Sequence, residues 1–267
     1  MLADDAIYLA YRVRRPVGQG RGLSNVVARS SDGVLFETVA ELHKDDFHAE
    51  SLERPALVRV EDGQWRLYVS CATPGTSHWR VDVVEAARPE ELTVTRGVRT
   101  VMSGDARTAV KDPVIKRDVD GWHMWVCVHD IPLEGSADAM YTTYATSRDG
   151  LAWTDRGVAL RGRAGMWDQR GARISEVVRM GSGRFAYYDG RSTPEQNWEE
   201  QTGVACEVAD GVFEADDERP VAISPTLDGG LRYVSVLDLG VEGWRLYYEA
   251  TRADGAHDLR TEFVPSR

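Results

Sequence analysis

Cysteine is scarce: Cys71, Cys127 and Cys206 are the three in 267 residues. Odd in number, widely spaced and without a C-x-x-C pair, they argue against a disulfide framework and for free thiols in a reducing compartment, the cytoplasm. No apolar run approaches the roughly 18 residues of a membrane-spanning helix, and the opening MLADDAIYLAYRVRR lacks the pattern of a secretory leader. No membrane partner is expected. Basic charge is also short, with 32 Lys and Arg against 43 Asp and Glu and a net charge of −11. That balance excludes nucleic acid, whose phosphates need a basic face. Phosphate-cradling loops, dinucleotide fingerprints, nucleophile elbows and H-E-x-x-H are all absent, so no cofactor is implied. His43 and His48 flank the acidic KDDFHAE stretch, but a loop of this kind is a weak metal ligand set, and no metal is expected.

Helix-period patterns are scarce too. Short runs of Val, Tyr, Trp and Leu alternate with Gly/Asp turns, the signal of an all-β chain. Hydrophobic residues make up 42%, and eight Trp and ten Tyr either fill a core or offer flat stacking surfaces. The runs also repeat. A first strand, a turn and an aromatic second strand appear as PALVRVEDGQWRLYVS from Pro55 and PVIKRDVDGWHMWVC from Pro113. The unit returns as SEVVRMGSGRFAYYD from Ser175, then as Pro225 followed later by WRLYYE from Trp244. IYLAYR, ending at Arg12, opens the chain without a first strand of its own.

Spacings of 58, 62 and 50 residues separate the four starts. A four-stranded propeller blade needs roughly 40 to 50 residues plus loops. The expectation is a single-domain, five-bladed β-propeller with blades near 1–48, 49–105, 106–165, 166–219 and 220–267. The related segments SSDGVLF from Ser30 and SRDGLAW from Ser147 read as tight turns between third and outer strands, each with an aromatic packing back.

In such a blade, the start of the first strand and the end of the second open on one face. Glu53, Arg54, Lys111, Asp112, Arg173, Ile174, Ile223 and Ser224 begin first strands. Arg12, Arg14, Ser70, Cys127, His129, Asp189, Arg191 and Glu249 end second strands. Charge gathered near an axis is expensive unless it is paired or used. The polar excursion DGRSTPEQNWEEQTG from Asp189 offers Trp198 for stacking, with Glu199 and Glu200 beside it, and His78 with Trp79 sits on another loop.

At these residues the chain resembles the five-bladed propeller glycoside hydrolases of families 32 and 43. KDPVIKRDVDGWHMWV from Lys111 is similar to their Asp-Pro strand followed by an aromatic strand, and YLAYRVRRP from Tyr8 to their first-blade segment. The S-x-D-G-x-x-Trp turn is shared as well. The resemblance implies three acidic groups: a nucleophile or base, an orienting Asp and an acid. Asp112 matches the orienting Asp. The first-blade Asp has only Asp4 and Asp5 to fill it, and Ile174 stands where the acidic Glu belongs, with Glu176 two positions on.

Two functions follow. One is cleavage of a glycosidic bond in a small carbohydrate: Asp112 orients, Glu53, Glu176 and Asp189 compete for acid and base, and His129 is a non-carboxylate acid. Arg12, Arg54, Arg173 and Arg191, with Glu249 and Trp198, would hold the sugar. So many guanidiniums also suit an anionic sugar or a phosphorolytic reaction. The other is a sugar-binding or biosynthetic propeller without the hydrolytic triad.

Overall fold

The computed structural model describes residues 1–16, 18–131, 139–181, 183–226 and 229–266. Among them the regular structure is all β, apart from short 3-10 turns. Strands β1 (Leu2–Ala3), β2 (Ala6–Arg14), β3 (Gly22–Ser30) and β4 (Glu37–His43) form one sheet in chain order. A second contains β5 (Ala56–Arg59), β6 (Trp65–Ala72), β7 (Trp79–Ala86) and β8 (Arg99–Ser103). Next come β9 (Thr108–Asp118), β10 (Gly121–Asp130), β11 (Met140–Ser147) and β12 (Thr154–Leu160). They are followed by β13 (Gly171–Met180), β14 (Gly183–Arg191), β15 (Gln201–Ala209) and β16 (Val212–Glu214). The three-stranded sheet of β17 (Leu231–Asp238), β18 (Gly243–Thr251) and β19 (His257–Pro265) completes the set.

The chain divides into two compact units, 1–124 with 146–154 and 125–145 with 155–267. In the first, the apolar side chains of β3, β4, β6 and β7 meet: Val27, Leu42, Leu52, Leu67, Val69 and Val84 are buried together with Phe47. Trp65 closes a smaller cluster against Tyr8, ring centroids 4.7 Å apart. In the second, Trp125 stacks on Tyr144 at 5.2 Å and its indole N–H donates to Gly211 O at 2.9 Å. Four of the eight tryptophans, Trp65, Trp79, Trp122 and Trp125, are buried and serve the core, where a large ring removes much apolar surface from water.

A recurring latch ties three of the third strands to the chain at or just before the next inner strand. The Asn25 amide of β3 donates to Glu53 O at 3.0 Å. The Thr142 hydroxyl of β11 donates to Ala172 O at 2.8 Å and accepts from Ile174 N–H at 2.9 Å. The Thr202 hydroxyl of β15 donates to Leu231 O at 2.8 Å. Asn25, Thr142 and Thr202 are all buried, so each bond satisfies a carbonyl that water does not reach.

Both Ser-x-Asp-Gly segments form the expected turn. Ser147 Oγ accepts from Asp149 and Gly150 N–H, and Asp149 Oδ1 accepts from Leu151 and Ala152 N–H. Those two backbone bonds hold the Asp149 carboxyl down to about 2. Ser30 and Asp32 repeat the pattern between β3 and β4. β6 reaches the second turn: Tyr68 OH donates to Gly150 O at 2.8 Å, and the Arg66 guanidinium contacts Asp149 O and lies 5.2 Å from the Trp122 ring centroid.

The structure corrects two expectations about strands. The first sheet does begin with a strand before IYLAYR, the two-residue β1, with Leu2 opposite Ile7. The inner strand of the last sheet is Leu231–Asp238 and does not start at Pro225: LRYVSVLD forms the ladder with β18, with one irregularity between Arg232 and Ser235. Ile223 is exposed as a result, and Ser224 is buried with its hydroxyl on Thr251 O.

Gly150 tests the docked turn. At φ +72° a Cβ there would lie 2.8 Å from Arg66 Nη1 and 2.9 Å from the Trp122 ring, whereas Gly63 at φ +84° has nothing within 4 Å. Gly63→Ala should cost about 1 kcal/mol, the left-handed strain alone, and Gly150→Ala clearly more. Urea unfolding compares them, and equal losses would show that the turn does not need its contact with β6.

Candidate functional site

The residues singled out in the sequence fall into two groups, one in each unit. In the first unit Arg12, at the end of β2, forms a buried ion pair with Glu53. Asn25 holds the Glu53 carbonyl from the other side, which fixes the chain just before β5. Asp112 interrupts β9 in a left-handed conformation, φ 56°, a geometry that Asp tolerates better than most residues. Its N–H donates to Ser70 Oγ at 2.8 Å, and that hydroxyl donates to Arg54 O at 3.1 Å. Its Oδ1 accepts from Arg54 N–H at 3.2 Å, and the Lys111 ammonium lies 3.7 Å from Oδ2. Asp112 is thus a fully buried carboxylate with a backbone donor and a cation among its partners. Trp79, expected on a ligand loop beside His78, is buried at the start of β7 with Lys111 and Arg21 each 5.2 Å from its ring centroid.

The second unit holds a denser cluster. The β13–β14 register sets Arg173 opposite Asp189, and their ion pair spans 2.9 Å. Asp189 also accepts from Tyr233 N–H at 2.9 Å. The β17–β18 register likewise sets Arg232 opposite Glu249, with Nε 3.1 Å from the carboxylate. Glu200 joins the two pairs. Arg191 Nη1 reaches one of its oxygens at 2.9 Å, and Arg232 Nη1 and Arg173 Nη2 approach the other at 2.6 and 3.9 Å. Tyr233 covers the group, its ring centroid 4.0 Å from the Arg173 guanidinium carbon and 5.2 Å from that of Arg232.

Tyr233 and Asp112 share one backbone device. Each has φ 56° on an inner strand, and each sends its N–H to the side chain ending a second strand, Asp189 or Ser70. For a bulky tyrosine this conformation is strained, and such strain concentrates where a structure over-determines a site.

The charges act on one another in opposite directions. Burial works to raise the Glu200 carboxyl, but Arg232, Arg173 and Arg191 outweigh it and hold the group well below the usual carboxylate range. Burial pushes Asp189 up, Arg173 opposes, and Glu200 adds to the rise. One carboxylate is thereby kept ionised while its neighbour is biased toward its proton.

The remaining candidates sit elsewhere. Glu176 is buried and accepts from Ser235 Oγ at 3.0 Å and Val236 N–H at 3.1 Å, anchoring β17. The register shifts between Ile174 and Glu176, so counting two residues along an ideal strand does not place Glu176 where Ile174 stands. His129 Nε2 lies 3.5 Å from Cys127 Sγ. Trp198 is half exposed at φ 83°, on a segment tied down by Arg191 to Asn197 Oδ1 at 2.7 Å and by Thr251 Oγ1 to Glu199 Oε2 at 2.5 Å. Asp4 and Asp5 lie exposed in the β1–β2 turn, with Asp4 paired to Arg59 at 2.8 Å.

Arg232, Tyr233 and Glu200 are the residues that sequence reading missed or left at the rim. Counting the last hairpin backward from Trp244 would have found the first two. Nothing local marks Glu200, whose burial depends on arginines from three strands. Among the described residues no group of three His, Cys, Asp or Glu could hold a metal, and no helix is long and apolar enough to cross a membrane.

Removing the Glu200 charge should leave three guanidiniums under-compensated. Glu200→Gln should therefore cost about 3–5 kcal/mol at neutral pH. Because the folded-state value lies below the usual 4.5, this stabilisation is complete above that pH and is lost as the pH falls beneath it. The gap between wild type and variant in denaturant unfolding should narrow in acid. A gap that stays constant with pH would show that the charge is not what matters.

No protein-family model matches the sequence, and no curated protein does. Solved structures do. A thermostable family-43 glycoside hydrolase superposes with a TM-score of 0.74 at 11% identity, covering 100% of this chain and 88% of that one. A glycosyl hydrolase from Bacteroides ovatus gives 0.71 at 16% identity, over 100% and 83% of the two chains. A structure from the family-130 mannoside phosphorylases, described as containing hydrolases that target β-1,2-mannosidic linkages in Candida mannan, gives 0.68 at 16%, over 99% and 83%. At such identities the likeness is one of fold: the all-β chain is folded as a glycoside-hydrolase-type β-propeller.

Proposed function

We propose that this protein cleaves a glycosidic bond in a small carbohydrate by carboxylate acid/base chemistry. The observation that carries the reading is the pair Asp189 and Glu200, two buried carboxylates with opposed proton affinities about one arginine. Acetal cleavage needs a group that keeps a proton for the leaving oxygen and a carboxylate that stays anionic beside the developing oxocarbenium ion. Asp189 fits the first role and Glu200 the second. The Asp-Pro motif separately suggests a substrate-orienting role for Asp112, which its own unit holds through the Arg54 N–H.

Arg12 faces Glu53 and Arg191 faces Glu200, so part of the guanidinium charge that pointed to an anionic ligand is already compensated within the protein. The name of the family-130 structure, which speaks of mannoside phosphorylases, supports phosphorolysis as the variant of this reaction in which phosphate replaces water.

A second reading, a sugar-binding propeller without turnover, is favoured by the exposed Asp4 and Asp5 and by buried Ile174 where the resemblance calls for a Glu. Incubation with a panel of aryl glycosides and manno-oligosaccharides, with and without phosphate, separates the two. Cleavage supports the enzyme. Calorimetric binding without any cleavage supports the second reading.

Asp112→Asn should then fold normally, because the amide keeps the size and the acceptor of the carboxylate. Its turnover should fall about 10²- to 10³-fold, the weight of an electrostatic group at a reacting centre. Wild-type rates from a folded variant would remove Asp112 from the site.

A further inference from the structure

Among the described residues the sheet β17-β18-β19 has three strands, whereas the sheets of β1–β4 and β5–β8 have four. In those sheets the third strands, β3 and β7, are flanked by β4 and β8 and are almost wholly buried. β19 holds the third place in its own sheet, pairs with β18 along its whole length, and is exposed over most of it. Leu259, Phe263 and Val264 are each 40–45% exposed there. A long edge strand with open N–H and C=O groups and apolar side chains is a template for another strand.

We propose that β19 pairs antiparallel with β19 of a second copy, about a two-fold axis through Thr261. The central part of HDLRTEFVP, Leu259–Phe263, is self-complementary in this register. Centred on Thr261, it sets Arg260 opposite Glu262 twice, Leu259 opposite Phe263 twice, and Thr261 opposite itself, with Asp258 opposite Val264 and His257 opposite Pro265 at the ends. A shift of one residue either way brings Arg260 onto Arg260 and Asp258 onto Glu262, or Glu262 onto Glu262. A shift of two toward the N-terminus leaves Phe263 and Val264 without partners. Opposite charges and apolar pairs facing across neighbouring strands stabilise a sheet, and like charges destabilise it.

The edge is also prepared for docking. Arg245 of β18 lies across it, its guanidinium carbon 5.7 Å from the Phe263 ring centroid and Nη1 3.4 Å from Thr261 Oγ1. Asp258, outside the complementary stretch, has Arg252 at 3.3 Å and Arg260 at 3.7 Å on its own strand. The occupant is therefore another molecule of this chain, and the join is isologous, making a continuous six-stranded sheet from two three-stranded ones.

Sedimentation velocity and light scattering on the whole protein test this. Wild type should run at twice the 29.7 kDa chain mass. Arg260→Glu and Glu262→Arg should each weaken the dimer about tenfold or more, since either places two like-charge pairs across the join. The double swap Arg260→Glu/Glu262→Arg should restore it, which a mere loss of folding would not allow. As an independent readout, Thr261→Cys in a Cys206→Ser background should give a disulfide-linked dimer on mild oxidation, because Cys71 and Cys127 are buried. A monomeric wild type, a dimer indifferent to the single swaps, a double swap that fails to rescue, or no cross-link at residue 261 would each overturn the proposal.

Discussion

Glu200 can be buried as an anion only because three guanidiniums come to it, and they come from different strands. Arg173 stands on β13, Arg191 at the end of β14 and Arg232 on β17. Desolvating one carboxylate therefore fixes where three strands lie relative to each other, and with them Asp189 and Glu249, which share the same arginines. Such a cluster contributes less to net stability than to uniqueness, since a displaced strand would leave a charge unmet in a dry place. The strained Tyr233 is tolerated within this arrangement because its N–H and its ring are both engaged.

Around that centre the structure relies on small polar side chains. Asn25, Thr142 and Thr202 fasten third strands to the chain at or just before the next inner strands, and Ser70 plays for Asp112 the part that Asp189 plays for Tyr233. Hydroxyls and amides of this size reach one carbonyl and little else. They set distances without adding bulk to a close-packed interior, and the charged groups are held rigidly as a result.

What could be read from the sequence follows the range of the interactions involved. The Ser-x-Asp-Gly turns are closed by bonds within four residues and were legible in detail. The hairpins beginning near Pro55, Pro113 and Ser175 were legible because alternation and turn residues lie in one short window. The pairing of Arg173 with Asp189 was not legible, because regular counting from the turn sets Ile174 opposite Asp189 and only the bulge moves Arg173 there. The last inner strand was misplaced because Pro225 imitated the starts at Pro55 and Pro113, while LRYVSVLD carried the real ladder. The bulge beside Ile174 was invisible, since no glycine or proline marks it, so the register of Glu176 relative to Ile174 could not be counted. Glu200 was read as rim because burial of a charge is decided by residues distant in the chain.

The latches also bear on how such a chain can change length over evolutionary time. Their partners are separated by 28, 30 and 29 residues, an interval running from a third strand through the outer strand to the next inner strand or the residues just before it. An insertion within that interval must be absorbed without moving either end. The connections from second to third strands, at Arg15–Arg21 and Ser192–Glu200, lie outside it. Lineages descended from such a molecule are free to lengthen those segments, and to acquire new ligand contacts there, while the intervening stretch keeps its measure.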